Sequence, residues 1–96
     1  MTIEKNLQGT TMVMKLTGWL DTQAAMTLEE EIEGLDPNTE KLILDFSELE
    51  YISSSGLREI VAAYKKLNGN LLLRNVSDEI MDVIKITGVV RKIKFE

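Results

Sequence analysis

Lys41-Leu42-Ile43-Leu44-Asp45-Phe46 and, a few residues on, Tyr51-Ile52-Ser53-Ser54-Ser55-Gly56-Leu57 form the stretch from which the rest of the chain can be ordered. Leu42-Ile43-Leu44 is a short continuous apolar run, the pattern of a strand covered on both faces. Leu57, Ile60, Val61, Tyr64 and Leu67 then recur at i, i+3, i+4, i+7 and i+10, which is one face of a helix. The stretch therefore reads as a buried strand delivered into a helix start that carries three consecutive serines. Free backbone N–H groups and the helix dipole at such a start suit a phosphate or another anion.

The flanking elements follow from the same periodicities. Ile3 to Leu7 and Thr11 to Leu16 alternate as two strands joined at Gln8-Gly9-Thr10, and Gly18 breaks the second pattern. From Asp21 to Leu35 the period becomes helical. Ala24, Ala25, Leu28, Ile32 and Leu35 share a face, Glu29, Glu30, Glu31 and Glu33 solvate the rest, and Asp21 or Thr22 is the N-cap. Pro37, in Asp36-Pro37-Asn38-Thr39, marks a turn. Asn68-Gly69 ends the second helix with a left-handed cap, and Leu71-Leu72-Leu73 is another buried strand. Ser77-Asp78-Glu79 opens a third helix with Ile80, Val83 and Ile84 toward the core. Gly88 closes it, and Lys92-Ile93-Lys94-Phe95 forms a last edge strand. The order β-β-α-β-α-β-α-β implies an α/β domain, a mixed sheet that is antiparallel at the first hairpin and parallel thereafter.

Composition narrows the functions available. Ninety-six residues, 44 % of them hydrophobic, fit one domain spanning residues 1–96 with a single core. A net charge of −5 offers no basic stripe for nucleic acid. The densest basic stretch, Arg91, Lys92 and Lys94, solvates the flanks of a strand. The N-terminus shows no apolar signal segment and no run is long enough to span a membrane, so a cytoplasmic location without membrane insertion is expected.

Three chemistries compete for Ser53-Ser54-Ser55. The first is capping, in which one serine oxygen accepts a hydrogen bond from a free N–H one turn in. The second is nucleophilic catalysis, which requires an activating base. The chain contains no His and no Cys. Lys65 and Lys66 stand about three turns along the same helix, out of reach. Neither a nucleophile-elbow motif nor a P-loop occurs. No catalytic residue, metal site or cofactor is therefore expected, and the chain is not expected to be an enzyme. The third is modification. A phosphoryl group on an exposed serine here is favoured by the helix dipole, and its cost falls on a docked partner.

The run from Leu44 to Leu57, Leu44-Asp45-Phe46-Ser47-Glu48-Leu49-Glu50-Tyr51-Ile52-Ser53-Ser54-Ser55-Gly56-Leu57, resembles the signature of STAS domains, named for sulfate transporters and anti-sigma-factor antagonists. Leu16-Thr17-Gly18-Trp19-Leu20-Asp21 is similar to the family's Gly-x-Leu-Asp lead-in to the first helix, and the element order matches over essentially the whole chain. The resemblance implies a mixed sheet with helices mainly on one face. Short standalone members are bacterial anti-sigma-factor antagonists. They bind an anti-sigma factor that is a serine kinase, which frees a sigma factor and regulates transcription. The kinase phosphorylates a serine at the start of the second helix and so ends the contact, and a phosphatase restores it.

By position the resemblance makes Ser54 the acceptor. It makes Asp21, Ser53, Ser54, Ser55, Gly56 and Leu57 the partner-binding surface. The family often has Asp where this chain has Ser53. That change removes a carboxylate beside the acceptor and adds a rival hydroxyl. A STAS adaptor subunit, docked on a transporter ATPase or a stress-signalling assembly, is the alternative function.

Overall fold

The computed structural model describes residues 1–86, 88 and 92–96. Its elements are β1 (Thr2–Gln8), β2 (Thr11–Leu20), α1 (Thr22–Glu33), β3 (Lys41–Ile52), α2 (Ser54–Lys66), β4 (Leu71–Arg74), α3 (Asp78–Ile86) and β5 (Lys94–Phe95). They form a five-stranded sheet of order β1-β2-β3-β4-β5, in which β1 pairs antiparallel with β2 and every other pairing is parallel.

That order accounts for the position of the helices. From β2 to β5 each parallel crossover steps one strand in the same direction. Parallel crossovers are right-handed, so α1, α2 and α3 fall on one face of the sheet. The core cluster agrees: Met14, Leu16, Leu42, Leu44, Phe46, Leu71 and Leu73 from the strands meet Leu28, Ile32, Leu57, Ile60, Ile80 and Ile84 from the helices. Ile43 and Leu72 alternate to the opposite face, where they are 7 % and 8 % exposed and lie outside that cluster. The sheet never reverses its order, so it lacks the switch point at which open α/β sheets usually form a ligand crevice.

Five sequence expectations need correction. β2 does not stop at Gly18. The strand continues to Leu20 through register shifts at Lys15/Thr17 and Gly18/Trp19, and Gly18 takes a φ of +102°, which a bulge accommodates and a side chain resists. β3 is likewise longer than its apolar run. It reaches Ile52 because Phe46, Leu49 and Ile52 keep returning to the core. Val83 is 39 % exposed and leaves the α3 contribution to Ile80 and Ile84. The last strand is only Lys94–Phe95, while Arg91 of the basic stretch lies outside the described residues. α1 also ends at Glu33, short of Leu35. The left-handed residue at Gly69 (φ +88°) stands as expected, with Asn68 beside it at φ +53°.

Candidate functional site

β2 and β3 end side by side, and both feed helices there. Leu20 pairs with Ile52, and the Ser53 N–H donates to the Leu20 carbonyl at 2.9 Å. One residue after Leu20, the Asp21 side chain accepts from the Ala24 N–H at 2.8 Å and caps α1. One residue after Ile52, the Ser53 hydroxyl accepts from the Gly56 N–H at 3.1 Å and caps α2, with Ser53 in an extended conformation (φ −91°, ψ 170°). Two helix N-termini thus open at the same end of the sheet. Of the two cap candidates for α1, Asp21 serves; of the three serines, Ser53 does.

The remaining members of the motif divide by burial. Gly56 and Leu57 are buried, so they set α2 against the sheet rather than offering contact area. A Cβ on Gly56 would stand 2.8 Å from Leu20 Cγ, 3.0 Å from the Leu20 carbonyl oxygen and 3.1 Å from Ile52 Cγ1. The glycine is needed for close approach and not for an unusual backbone angle. Ser55 is half-buried, and its hydroxyl accepts from Arg58 Nη2 at 3.3 Å. Ser54 is exposed, and its hydroxyl makes no hydrogen bond among the described residues. The three serines therefore differ: one caps, one is held by an arginine, one is free.

Asp45, which begins the motif on β3, is bound into the fold. Burial pushes its carboxyl up, but the Ser47 N–H at 2.9 Å, the Ser47 hydroxyl, the Asn75 amide at 3.3 Å and the charge of Lys15 outweigh that and hold it below the usual carboxylate range. Its work is to tie β3 to the turn after β4, where Asn75 sits at φ +58°.

Sequence reasoning does not single out Trp19 or Tyr51, yet they mark this end of the sheet. Their rings lie 5.2 Å apart, tilted by 42°, and are 58 % and 43 % exposed. The signal was alternation. Leu20 and Ile52 turn into the core, so the residue before each turns away from it. On the helix side a shallow groove of about 260 Å³ runs between α1 and α2, lined by Met26, Glu29, Ser55, Arg58 and Glu59 among others. Asp21 lies outside that groove and lines a separate depression with Met1, Gln23, Ala24 and Thr27.

Glu59 is the buried charged residue of the described core, 9 % exposed. Its carboxyl is pushed up by burial first, then by the charge of Glu29, a hydrogen bond shared with Glu29, and the charge of Glu33 across the α1–α2 contact. A carboxyl raised in the folded state binds its proton more tightly there than in the unfolded chain. It costs stability above its folded pKa, and that cost disappears as pH falls toward its unfolded value. Glu59→Gln is therefore expected to raise the melting temperature at neutral pH by about 1–4 °C, taking a like-charge cost of a few tenths of a kcal/mol. The gain should shrink on acidification; a gain independent of pH would show that charge at Glu59 is not its source. Among the described residues, no group of three or more His, Cys, Asp and Glu is placed to hold a metal ion. No helix among them is long and apolar enough to cross a membrane.

Comparison with known proteins places this geometry. Residues 2–96 match the STAS domain family. The chain is 31 % identical over 81 residues to BtrV of Bordetella bronchiseptica, a protein named for anti-sigma factor antagonism, covering 80 % of this chain and 70 % of that one. Solved structures share the fold. An anti-sigma factor antagonist from Mycobacterium paratuberculosis superposes with a TM-score of 0.85 at 23 % identity, covering 98 % of this chain and 83 % of that one. The phosphorylated form of the Bacillus cell fate determinant SpoIIAA superposes with a TM-score of 0.77 at 21 % identity, covering 99 % and 91 %.

Proposed function

The chain belongs to the STAS domain family, and from that premise we propose that it is an anti-sigma-factor antagonist whose binding to a serine-kinase anti-sigma factor is governed by phosphorylation of Ser54. It acts as a non-catalytic regulatory domain of the bacterial cytoplasm: bound to the kinase it frees a sigma factor, phosphorylated it lets go, and a phosphatase resets it. The observation that carries the reading is the inequality of the three serines. Ser53 is spent on the cap and Ser55 on Arg58, while Ser54 is exposed with a free hydroxyl at a helix N-terminus. In the transfer, the Ser54 oxygen bonds to the γ-phosphorus of ATP, the bond to the ADP oxygen breaks, and the hydroxyl proton passes to a base on the kinase. The product dianion then lies where the first-turn N–H groups and the dipole favour it. The likeness to BtrV at 31 % identity supports the class of partner.

The test is peptide mapping after incubation with ATP and the kinase. One phosphate is expected, on Ser54. Phosphate on Ser53, the half-buried cap of α2, or on Ser55 would refute the acceptor assignment. No incorporation at any serine would refute the phosphorylation switch.

A further inference from the structure

Resting on the reading of Ser54 as the acceptor, we propose that Arg58 takes up its phosphate: on modification the guanidinium leaves Ser55 and clamps phosphorylated Ser54 from within the same helix. Arg58 is placed for both partners. Ser54, Ser55 and Arg58 all belong to α2. At about 3.6 residues per turn, Ser54 lies roughly 40° to one side of Arg58 around the helix and Ser55 roughly 60° to the other. Residues four apart on a helix have Cβ atoms about 5–6 Å from each other, and long side chains lean back toward the N-terminus. Arg58 leans that way: its Nη2 already donates to the Ser55 hydroxyl, one turn back. A phosphoryl group on Ser54 adds acceptor oxygens to the same first turn.

Arg58 is also uncommitted. Arg74, the other described arginine, pairs with Glu96 at 2.8 Å. Arg58 forms no ion pair among the described residues, although Glu29 and Glu59 line the same groove. Its bond to Ser55 is 3.3 Å long and ends on a neutral oxygen, whereas N–H···O bonds are commonest at about 2.9–3.0 Å. A phosphate offers the guanidinium two parallel charge-assisted bonds, each roughly twice as strong as a neutral one. The exchange therefore runs toward the phosphate. The order along the helix adds to it, with the anion in the first turn and the cation four residues on. Phosphate held in this way is satisfied within the domain. It needs no basic site on the partner, so the modified chain is not retained by the kinase through its new charge. A phosphatase must break the Arg58 bonds before it can remove the group.

The test uses the full chain with phosphoserine installed at position 54 during translation, so it does not depend on a kinase. Followed by phosphorus NMR, the second ionisation of the phosphate should fall about half a pH unit lower with Arg58 in place than in Arg58→Gln. Arg58→Lys should lie between them, because an ammonium binds as a point charge without the fork. Glu29 and Glu59, the carboxylates lining the same groove, are unchanged across the set and cancel in the comparison. In nitrogen NMR the Arg58 side-chain resonance should move on phosphorylation while that of Arg74 stays. Alkaline phosphatase should release phosphate about threefold faster from Arg58→Gln. Without phosphate, Arg58→Gln should melt close to wild type, because Arg58 is exposed. Equal ionisation midpoints in the Arg58 and Gln forms, with the Arg58 resonance unmoved, would overturn the clamp and leave Ser54 as the acceptor. A midpoint equally depressed in both forms would assign the phosphate to the helix N-terminus alone and overturn the clamp as well. If instead peptide mapping after the kinase reaction finds the phosphate on Ser53 or Ser55, the acceptor reading fails and the clamp falls with it.

Discussion

Gly56→Val is expected to remove a large share of the domain's stability, and Gly56→Ala a smaller, measurable part of it. Two effects oppose each other. Alanine is favoured over glycine within a helix by up to about 1 kcal/mol, and less in the first turn, where Gly56 lies. Against this, the new Cβ would meet a backbone oxygen at 3.0 Å and the Leu20 side chain at 2.8 Å, and Ile52 closes the third side at 3.1 Å. Overpacking of this kind costs about 1–3 kcal/mol. The Leu20 carbonyl also accepts the Ser53 N–H, so it cannot withdraw without loosening the turn that holds the cap. The net expectation for Gly56→Ala is a loss of about 1–2 kcal/mol, or about 4–16 °C in melting temperature. Valine adds two methyl groups at the same wall and should lose about 3 kcal/mol or more, against a total of about 5–15 kcal/mol for a small domain. Thermal unfolding followed by circular dichroism measures both. A Gly56→Ala protein that melts at or above wild type would show that the close approach is not what requires glycine.

How much of this was legible in the sequence depends on whether a signal is local. The helix starts were: Asp21, Ser53 and Ser77 each cap by a hydrogen bond to a residue three positions on, a relation contained within one turn. The mixed, largely parallel sheet also followed from the alternation of strands and helices, and helices mainly on one face from the resemblance to STAS domains; the order of strands within the sheet did not, because it depends on pairings between distant segments. The course of β2 past Gly18 did not, since a glycine at positive φ reads the same in a turn and in a bulge, and only pairing with β3 decides between them. The length of β3 failed for a related reason: Phe46, Leu49 and Ile52 return to the core at intervals of three, because β3 takes an extra residue at each of its two register shifts against β2, and that spacing resembles neither ideal period. At the site, the motif identified the segment but not the division of labour within it. Which serine caps, which is held by Arg58 and which stays free depends on side-chain geometry. The same holds for Glu59, whose α2 position reads as solvated until Glu29 and Glu33 of α1 are brought against it.

A negative charge on Ser54 is expected to weaken partner binding in proportion to its size while leaving the fold intact, and the separate role of Ser53 makes the comparison clean. Ser54→Ala should change stability little, because the α2 cap is Ser53; Ser53→Ala should instead cost about 0.5–2 kcal/mol. A phosphate brings a charge of about −1.5 to −2 at neutral pH. Within the domain it gains about 0.3–1 kcal/mol from the helix N-terminus, so the phosphoprotein should melt at or slightly above the wild-type temperature. At the contact surface the same charge is stripped of water on a domain that already carries a net charge of −5. Misplaced charge in an interface costs several kcal/mol, so the phosphoprotein should bind the kinase at least 100-fold more weakly. Ser54→Asp carries roughly half that charge and should lose about tenfold. Ser54→Ala should bind as wild type and resist release by ATP. Affinity by calorimetry and melting temperature, measured on all of these forms, give the answer together. If the phosphoprotein binds as tightly as the unmodified chain, Ser54 does not control release, and the STAS domain is better read as an adaptor held in a larger assembly. If affinity and melting temperature instead fall in parallel, the phosphate acts by damaging α2 and not by opposing the partner.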